Sequence, residues 1–416
     1  MSELAEDLGY RLRPLRVLLA SGAVGRAAQE LEEEGISRPL LVTTPGRWKA
    51  LPPGLRGEEV AWAGVFSRAR VHVPQERVDE AMALARKVEA DGLVAFGGGS
   101  ATGMAKAVAL ETGLPVVAIP TTFSGSENTA IWGVRGDEGK STGRATEVAP
   151  RVIIYDPDLL AALPPRVAAA SGMNAVAHSV GALTSHSSHL LARLLAREGL
   201  ETLMGALPGV MDGVARARRD AFWGAHLSGR ALDMSTMGLH HRLCHILGGR
   251  LDLPHAVTHA VLLPFTTLVT LERMPQGQAT ILDVLNRGWA RQGGRATESG
   301  GGRTGGKEVA RAFLELNQRL GLPIALSEMM AEGSSEMVPQ VEASHDEEGK
   351  GGVGQRSTAA AAPVSGIQQG GAIPYPRELM AQVTEEALGS DGGYHLSATG
   401  PEISALLKAA WEGALP

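Results

Sequence analysis

The chain has 416 residues, 44% hydrophobic and 20% charged, with a net charge of −6. That balance suits globular domains with real cores, and it lacks the basic footprint of a nucleic-acid binder. One cysteine, Cys244, excludes a disulfide framework and any CxxC zinc or redox motif. The N-terminal stretch has no basic start followed by an apolar run, and no segment reaches the roughly 18 apolar residues of a membrane helix. A soluble, cytoplasmic protein without membrane or nucleic-acid partners is expected.

The N-terminal part alternates strand-like and helix-like patterns. Arg38–Thr44 reads as an apolar strand, and Ala69–Val73 as another. Glu76–Glu89 carries Val78, Ala81, Met82, Ala85 and Val88 on one helical face. Gly92–Phe96 is a strand, followed by the turn Gly97-Gly98-Gly99-Ser100 and a helix over 101–111. Pro115–Pro120 is a further buried strand. Such β-α-β alternation predicts a doubly wound parallel sheet.

From about Leu159 the strand signal stops, and helices are predicted over 165–185, 189–205, 214–232, 235–248, 257–272, 307–320 and 402–412. The expected architecture is an α/β dinucleotide-binding domain over 1–157 and an all-α substrate domain over 158–416, with a ligand cleft at the carboxyl ends of the strands. Glycine is abundant, at 53 residues. Many fall in tracts at 293–306 and 333–371 that bury too little apolar surface to order the backbone, so loops or disorder are expected there.

The turn Gly97–Ser100 follows a strand and opens a helix, which suits a phosphate: glycines admit close approach, and helix N-terminal N–H groups favour anions. It is not a GxGxxG, and a tight βα turn would use the same glycines. The loop from Thr121 to Glu127 also follows an apolar strand and adds hydroxyls at Thr121, Thr122, Ser124 and Ser126. Two such loops side by side suggest one nucleotide.

Histidines gather in the helical part: His178, four residues after Asn174, then His186 and His189; and His240, His241 and His245, followed by His255 and His259. Residues four apart share a helix face, so Asn174 pairs with His178 and His241 with His245. Three imidazoles plus a carboxylate would suit a divalent transition metal. The amide of Asn174 stands where the carboxylate is wanted, so a metal-free polar pocket is expected.

The elements GGGSATGMAKAVAL (97–110), IPTTFSGSENTAIWG (119–133), VIIYDP (152–157), SGMNAVAHSVGAL (171–183) and LHHRLCHILGGRLDLPHAVTHAVLLP (239–264) resemble the maleylacetate reductases of the iron-containing alcohol dehydrogenase superfamily. The resemblance implies the dehydroquinate synthase-like fold of that superfamily and a homodimer acting on a small molecule. It implies NADH or NADPH bound at Gly97, Gly98, Gly99, Ser100, Thr121, Thr122 and Ser126, with Thr43, Thr44 and Pro45 near the adenosine and Lys140 near the nicotinamide ribose. The aspartate and three histidines of metal-using relatives correspond to Asn174, His178, His241 and His255. The maleylacetate reductases share the Asn and are understood to work without metal.

Reduction of maleylacetate to 3-oxoadipate is the implied activity, with His245 as acid and His178, His241 and His255 holding the substrate. The resembling pattern carries an acidic and then an aromatic residue (HAVEALYA) where this chain has Gly181 and Thr184, which leaves the substrate open. Alternatives are a metal-dependent alcohol dehydrogenase, or a repurposed member of specialised metabolism with another substrate or non-redox chemistry. Thr44 would not reject a 2′-phosphate, and Arg47 could accept one.

Overall fold

The computed structural model describes residues 10, 12–56, 59–136, 139–291, 305–332, 373–389 and 398–416. Six parallel strands form one sheet: β1 (Arg16–Leu19), β2 (Pro39–Thr43), β3 (Gly64–Phe66), β4 (Gly92–Gly97), β5 (Val116–Pro120) and β8 (Val152–Tyr155), in the order β1-β8-β5-β4-β2-β3. The central strands are buried on both faces and accordingly read as continuous apolar runs. Alternate side chains serve opposite layers. Leu40, Val42, Leu93 and Ala95 pack with Val78 and Ala81 of α4 (Gln75–Lys87) and Met104 of α5 (Gly99–Thr112). Leu41, Val94 and Phe96 pack on the other face with Ala27 and Leu31 of α1 (Ala27–Glu33). This is the doubly wound parallel sheet expected from the alternation. Two short helices, α2 (Pro45–Lys49) and α3 (Pro53–Arg56), follow β2.

The expected strand at 69–73 is a correction. The strand in that region is β3, and the segment after it turns, with His72 and Val73 at φ of 63° and 49°. Val71, the apolar residue that suggested a strand, is 64% exposed. An antiparallel hairpin, β6 (Ile131–Gly136) and β7 (Gly139–Arg144), adds a small second sheet.

Helices follow: α6 (Pro165–Leu183), α7 (Leu190–Met211), α8 (Ala215–Asp233), α9 (Leu239–Leu251), α10 (His255–Leu271), α11 (Pro275–Arg291), α12 (Gly305–Arg319), α13 (Leu326–Glu332), α14 (Arg377–Leu388) and α15 (Gly400–Glu412). All the helices expected from the pattern are present, with α7 running to Met211, six residues past its predicted end, and α9 starting at Leu239, four after its predicted start. Among the described residues none is long and apolar enough to cross a membrane. The glycine tracts at 293–306 and 333–371 lie outside the described residues, apart from Gly305 and Gly306, which open α12.

The two parts share a core. Ala118, Ile153 and Tyr155 of the sheet pack among Met173 and Ala177 of α6 and Phe222 of α8. At the junction Asp233, the last residue of α8, accepts from Arg13, Arg144 and the Ala130 N–H at 2.7, 2.9 and 2.8 Å. Burial pushes the Asp233 carboxyl up, but the Ala130 N–H and the Arg13 guanidinium more than offset it and hold it below the usual range.

Candidate active site

Three loops leave the sheet side by side. Register places Thr43 opposite Phe96, and Gly97 opposite Pro120, so the turns after β2, β4 and β5 converge. Gly97 has a φ of +148°, and a Cβ there would lie 2.9 Å from Ala101 Cβ. A Cβ at Gly98 would lie 2.9 Å from Thr122 Cγ2, so the glycine turn closes onto the hydroxyl loop only because it lacks side chains. Gly99 is exposed and looks across a gap at Ser124 Oγ and Ser126 Oγ. The hydroxyls of Thr121 and Thr122 are buried without a partner. Orphaned hydroxyls beside the N-terminus of a 14-residue helix fit the pyrophosphate of a dinucleotide, whose oxygens would accept from them.

The other expected cofactor residues fall around this gap. Ser100 lies in the first turn of α5. Thr44 caps α2, accepting from Arg47 N, and Pro45 begins that helix. Thr43 is wholly buried, and its hydroxyl donates to Phe96 O at 2.7 Å, tying β2 to β4. Lys140 sits in β7 opposite Arg135, and its side chain lies outside the described residues.

Lys106, which carried no signal in the sequence, anchors the hydroxyl loop from below. It is 1% exposed and donates to Ser126 O, to Thr129 Oγ1 at 3.0 Å and to Ile131 O at 3.1 Å. Burial pulls its ammonium down to about 7. Beside it Tyr155 donates to Glu127 Oε1 at 2.7 Å, and Asn128 Nδ2 donates to Tyr155 at 2.9 Å. Burial pushes the Glu127 carboxyl up.

α6 faces this loop, and α9 and α10 bring further histidines against α6. Asn174 and His178 of α6 are one turn apart, 4% and 5% exposed. Asn174 Nδ2 reaches towards Ser124 O at 3.5 Å, which brings α6 against the cofactor loop. α9 supplies His240, His241 and His245; α10 supplies His255 and His259. The rings form a continuous set: His178 stacks on His241 at 5.5 Å, His241 meets His259 at 5.0 Å, His259 meets His255 at 4.5 Å, and His255 stacks on His245 at 5.7 Å. His178 and His241 are buried, whereas His245 is half-buried and His255 exposed, so the set runs from the interior to solvent.

His240 and His259 received no role from sequence spacing. The Thr266 hydroxyl donates to Leu262 O at 3.0 Å, so it accepts from His240 Nδ1–H at 2.9 Å. His240 Nε2 is then a bare lone pair, and it accepts from His259 Nδ1–H at 2.9 Å. This assignment leaves His259 Nε2 as a buried acceptor without a partner, on the ring that touches His178, His241 and His255. Burial, then the neighbouring imidazoles, depress His178 and His259 well below the ordinary range, and burial lowers His241 to about 4. These imidazoles are neutral near pH 7 and act as hydrogen-bonding groups rather than as cations.

Asn174 Oδ1, His178 Nδ1 and both ring nitrogens of His241 lack partners. A polar substrate satisfies such groups directly. A divalent ion fits them poorly, because Asn174, His178, His241 and His255 supply no negative charge to offset it in a buried site. Among the described residues one compact group of possible ligand atoms exists, on His240, Cys244 and His259. There the His240–His259 hydrogen bond occupies the facing nitrogens, and burial pushes the Cys244 thiol up, keeping it protonated.

Residues 14–157 match the family model described as iron-containing alcohol dehydrogenase, and 168–346 match the C-terminal model of the same family. The maleylacetate reductase of Burkholderia cepacia is 38% identical over 322 residues, 76% of this chain and 86% of that protein. The maleylacetate reductase of Sphingobium indicum is 41% identical over 284 residues, 67% of this chain and 80% of that protein. The crystal structure of maleylacetate reductase from Rhizobium sp. strain MTP-10005 superposes with a TM-score of 0.75 at 34% identity, covering 99% of this chain and 100% of that one. These matches identify the chain as an oxidoreductase belonging to the iron-containing alcohol dehydrogenase family.

Proposed function

We propose that the protein is an NAD(P)H-dependent, metal-independent reductase of maleylacetate to 3-oxoadipate, or of a closely related unsaturated keto acid. The observation that carries this reading is the contact of Asn174 with Ser124 O, which sets the unpartnered neutral imidazole of His178 directly against the loop, its Nδ1 3.3 Å from where a Cβ on Gly125 would lie. NADH or NADPH, when bound, supplies a hydride to the alkene carbon β to the substrate ketone. Charge then develops on the ketone oxygen as an enolate, and neutral His178 offers its N–H to it in a site shielded from water. His245, half-buried beside the exposed His255, returns the proton to the α carbon and recovers it from solvent, so one hydride and one proton complete the reduction. Asn174 holds position by its backbone contact and adds no charge. Thr44 and Arg47 at the end of β2 leave the adenosine side open to either cofactor. The same reading makes the protein a cytoplasmic homodimer.

The test is loss of absorbance at the NADH band with maleylacetate, run with and without chelator. One cofactor oxidised per substrate, unaffected by chelator, is the expected result. No oxidation would overturn the substrate, and loss of activity with chelator would overturn metal independence.

A further inference from the structure

Next to the histidines, α6 and α9 enclose a cavity of about 60 Å³, room for a few waters or one small polar group. Gly181, Thr184, His186, Gly238, His241 and Thr270 are on its wall, and among the described residues no acidic side chain lines it. Three independent features bear on its occupant. α9 begins here, a 13-residue helix whose N-cap, Gly238, has no side chain with which to satisfy the first turn. His241, 3% exposed, turns its Cε1–Nδ1 edge to the cavity: a Cβ at Gly181 would lie 3.4 and 3.7 Å from those atoms. Both nitrogens of that ring lack partners, so at least one buried N–H is left without an acceptor.

Acceptors at the end of α6 and on Thr270 are already engaged. α6 ends in the same place, but Val180 O accepts from Thr184 N at 3.0 Å and from Thr184 Oγ1 at 2.8 Å, and Ala182 O from Ser185 N at 3.4 Å. Thr270 Oγ1 donates to Thr266 O at 2.8 Å. What remains is donors and a helix N-terminus without a matching anion. The space and the donors are therefore present, and the chain's own carboxylate is not.

We propose that this cavity is a carboxylate-binding subsite that seats one carboxylate of the substrate, an assignment of source that rests on the unsaturated keto acid reading above. The carboxylate would accept from His241 and from the first turn of α9, and the alkene and ketone would extend from it towards the cofactor loop.

Thermal melting of the full chain in sodium acetate, against sodium chloride at equal ionic strength, tests the site without the reaction. Wild type should show a saturable rise in Tm with acetate, and Gly181→Gln and Gly181→Glu, which fill the cavity, should show none. If those side chains prevent folding, Gly181→Ala adds one methyl at van der Waals distance and should weaken the response. The KM for maleylacetate should rise about tenfold or more in Gly181→Gln, the scale of one lost charge-assisted contact. No acetate response in wild type, or an equal one in Gly181→Gln, would overturn the subsite. A response lost without any change in KM would overturn the substrate's carboxylate as the occupant and leave a free small carboxylate. If maleylacetate is not turned over at all, the reductase reading fails, while the acetate arm still decides the cavity.

Discussion

His240 Nε2 lies 2.9 Å from His259 Nδ1, and Thr266 on the far side of His240 fixes which of the two carries the proton. The pair spans α9 and α10, so the acceptor face of His259 depends on His240. His240→Leu removes the lone pair that holds the His259 tautomer. We expect kcat to fall roughly tenfold to a hundredfold, with KM for the cofactor unchanged, in steady-state assays. A variant with wild-type kcat would free His259 of this control.

His245 is the proton donor of the proposed reaction. His245→Ala should lower kcat by about a hundredfold or more while leaving cofactor affinity intact. Near-normal turnover, with NADH binding measured by fluorescence, would remove the residue from the chemistry.

Lys106 fastens the loop that carries Ser124 and Ser126. In Lys106→Met the three donations to that loop are lost, and the pyrophosphate seat loosens. The KM for NADH should rise about tenfold, and Tm should fall, because Ser126 O and Ile131 O lose their buried donor. Unchanged cofactor affinity at a lowered Tm would reduce Lys106 to a purely structural role.

Arg47 follows the Thr44 cap at the end of β2. Burial lowers its guanidinium pKa without neutralising it. Arg47→Ala should raise the KM for NADPH by about tenfold and leave that for NADH within about twofold, since only the 2′-phosphate offers a charge to lose. Equal effects on both cofactors would place Arg47 away from the adenosine.

The buried histidines also set an acid limit. The unfolded imidazoles titrate near 6.5, whereas burial lowers His241 and His226 to about 4 and depresses His178, His240 and His259 well below normal. The unfolded chain therefore binds more protons between these values, so stability is full above about pH 6.5 and is lost as pH falls towards 4. His241 alone accounts for roughly 3 kcal/mol across that window. Urea unfolding from pH 8 to 4.5 should show a steep decline below pH 6.5 that is reduced in His241→Asn.

What the sequence disclosed was local. Apolar runs bounded by glycine and proline marked β2, β4 and β5, and the hydroxyl and glycine loops could be placed because they follow those strands directly. The i,i+4 rule put Asn174 with His178 correctly on one face. It also paired His241 with His245 along α9, but the shortest link lies between helices, from His240 to His259, and no spacing within one helix encodes it. The β6–β7 hairpin was invisible because β7, Gly139–Arg144, has no apolar residue and β6 only a short half-buried apolar stretch. α11 and α14 went unpredicted although each buries a periodic apolar stripe, Ile281, Val284 and Leu285 in one and Met380, Val383 and Ala387 in the other. The expected strand at 69–73 failed because an apolar residue, Val71, points to solvent beyond a short edge strand. Lys106 looked like one more surface lysine on a helix, and only the loop folded over it reveals its burial.

Gly229 of α8 leaves no room above it: a Cβ there would come within van der Waals overlap of Gly125 O, inside the loop that bears Ser124 and Ser126. Two glycines thus let the helical half touch the backbone of the nucleotide loop. With Asp233 one turn further along α8 tied to Arg13, Arg144 and Ala130, the proposed seat of the reductant is assembled by both halves together. An isolated N-terminal half would carry every residue of that seat and still lack the surface that shapes it.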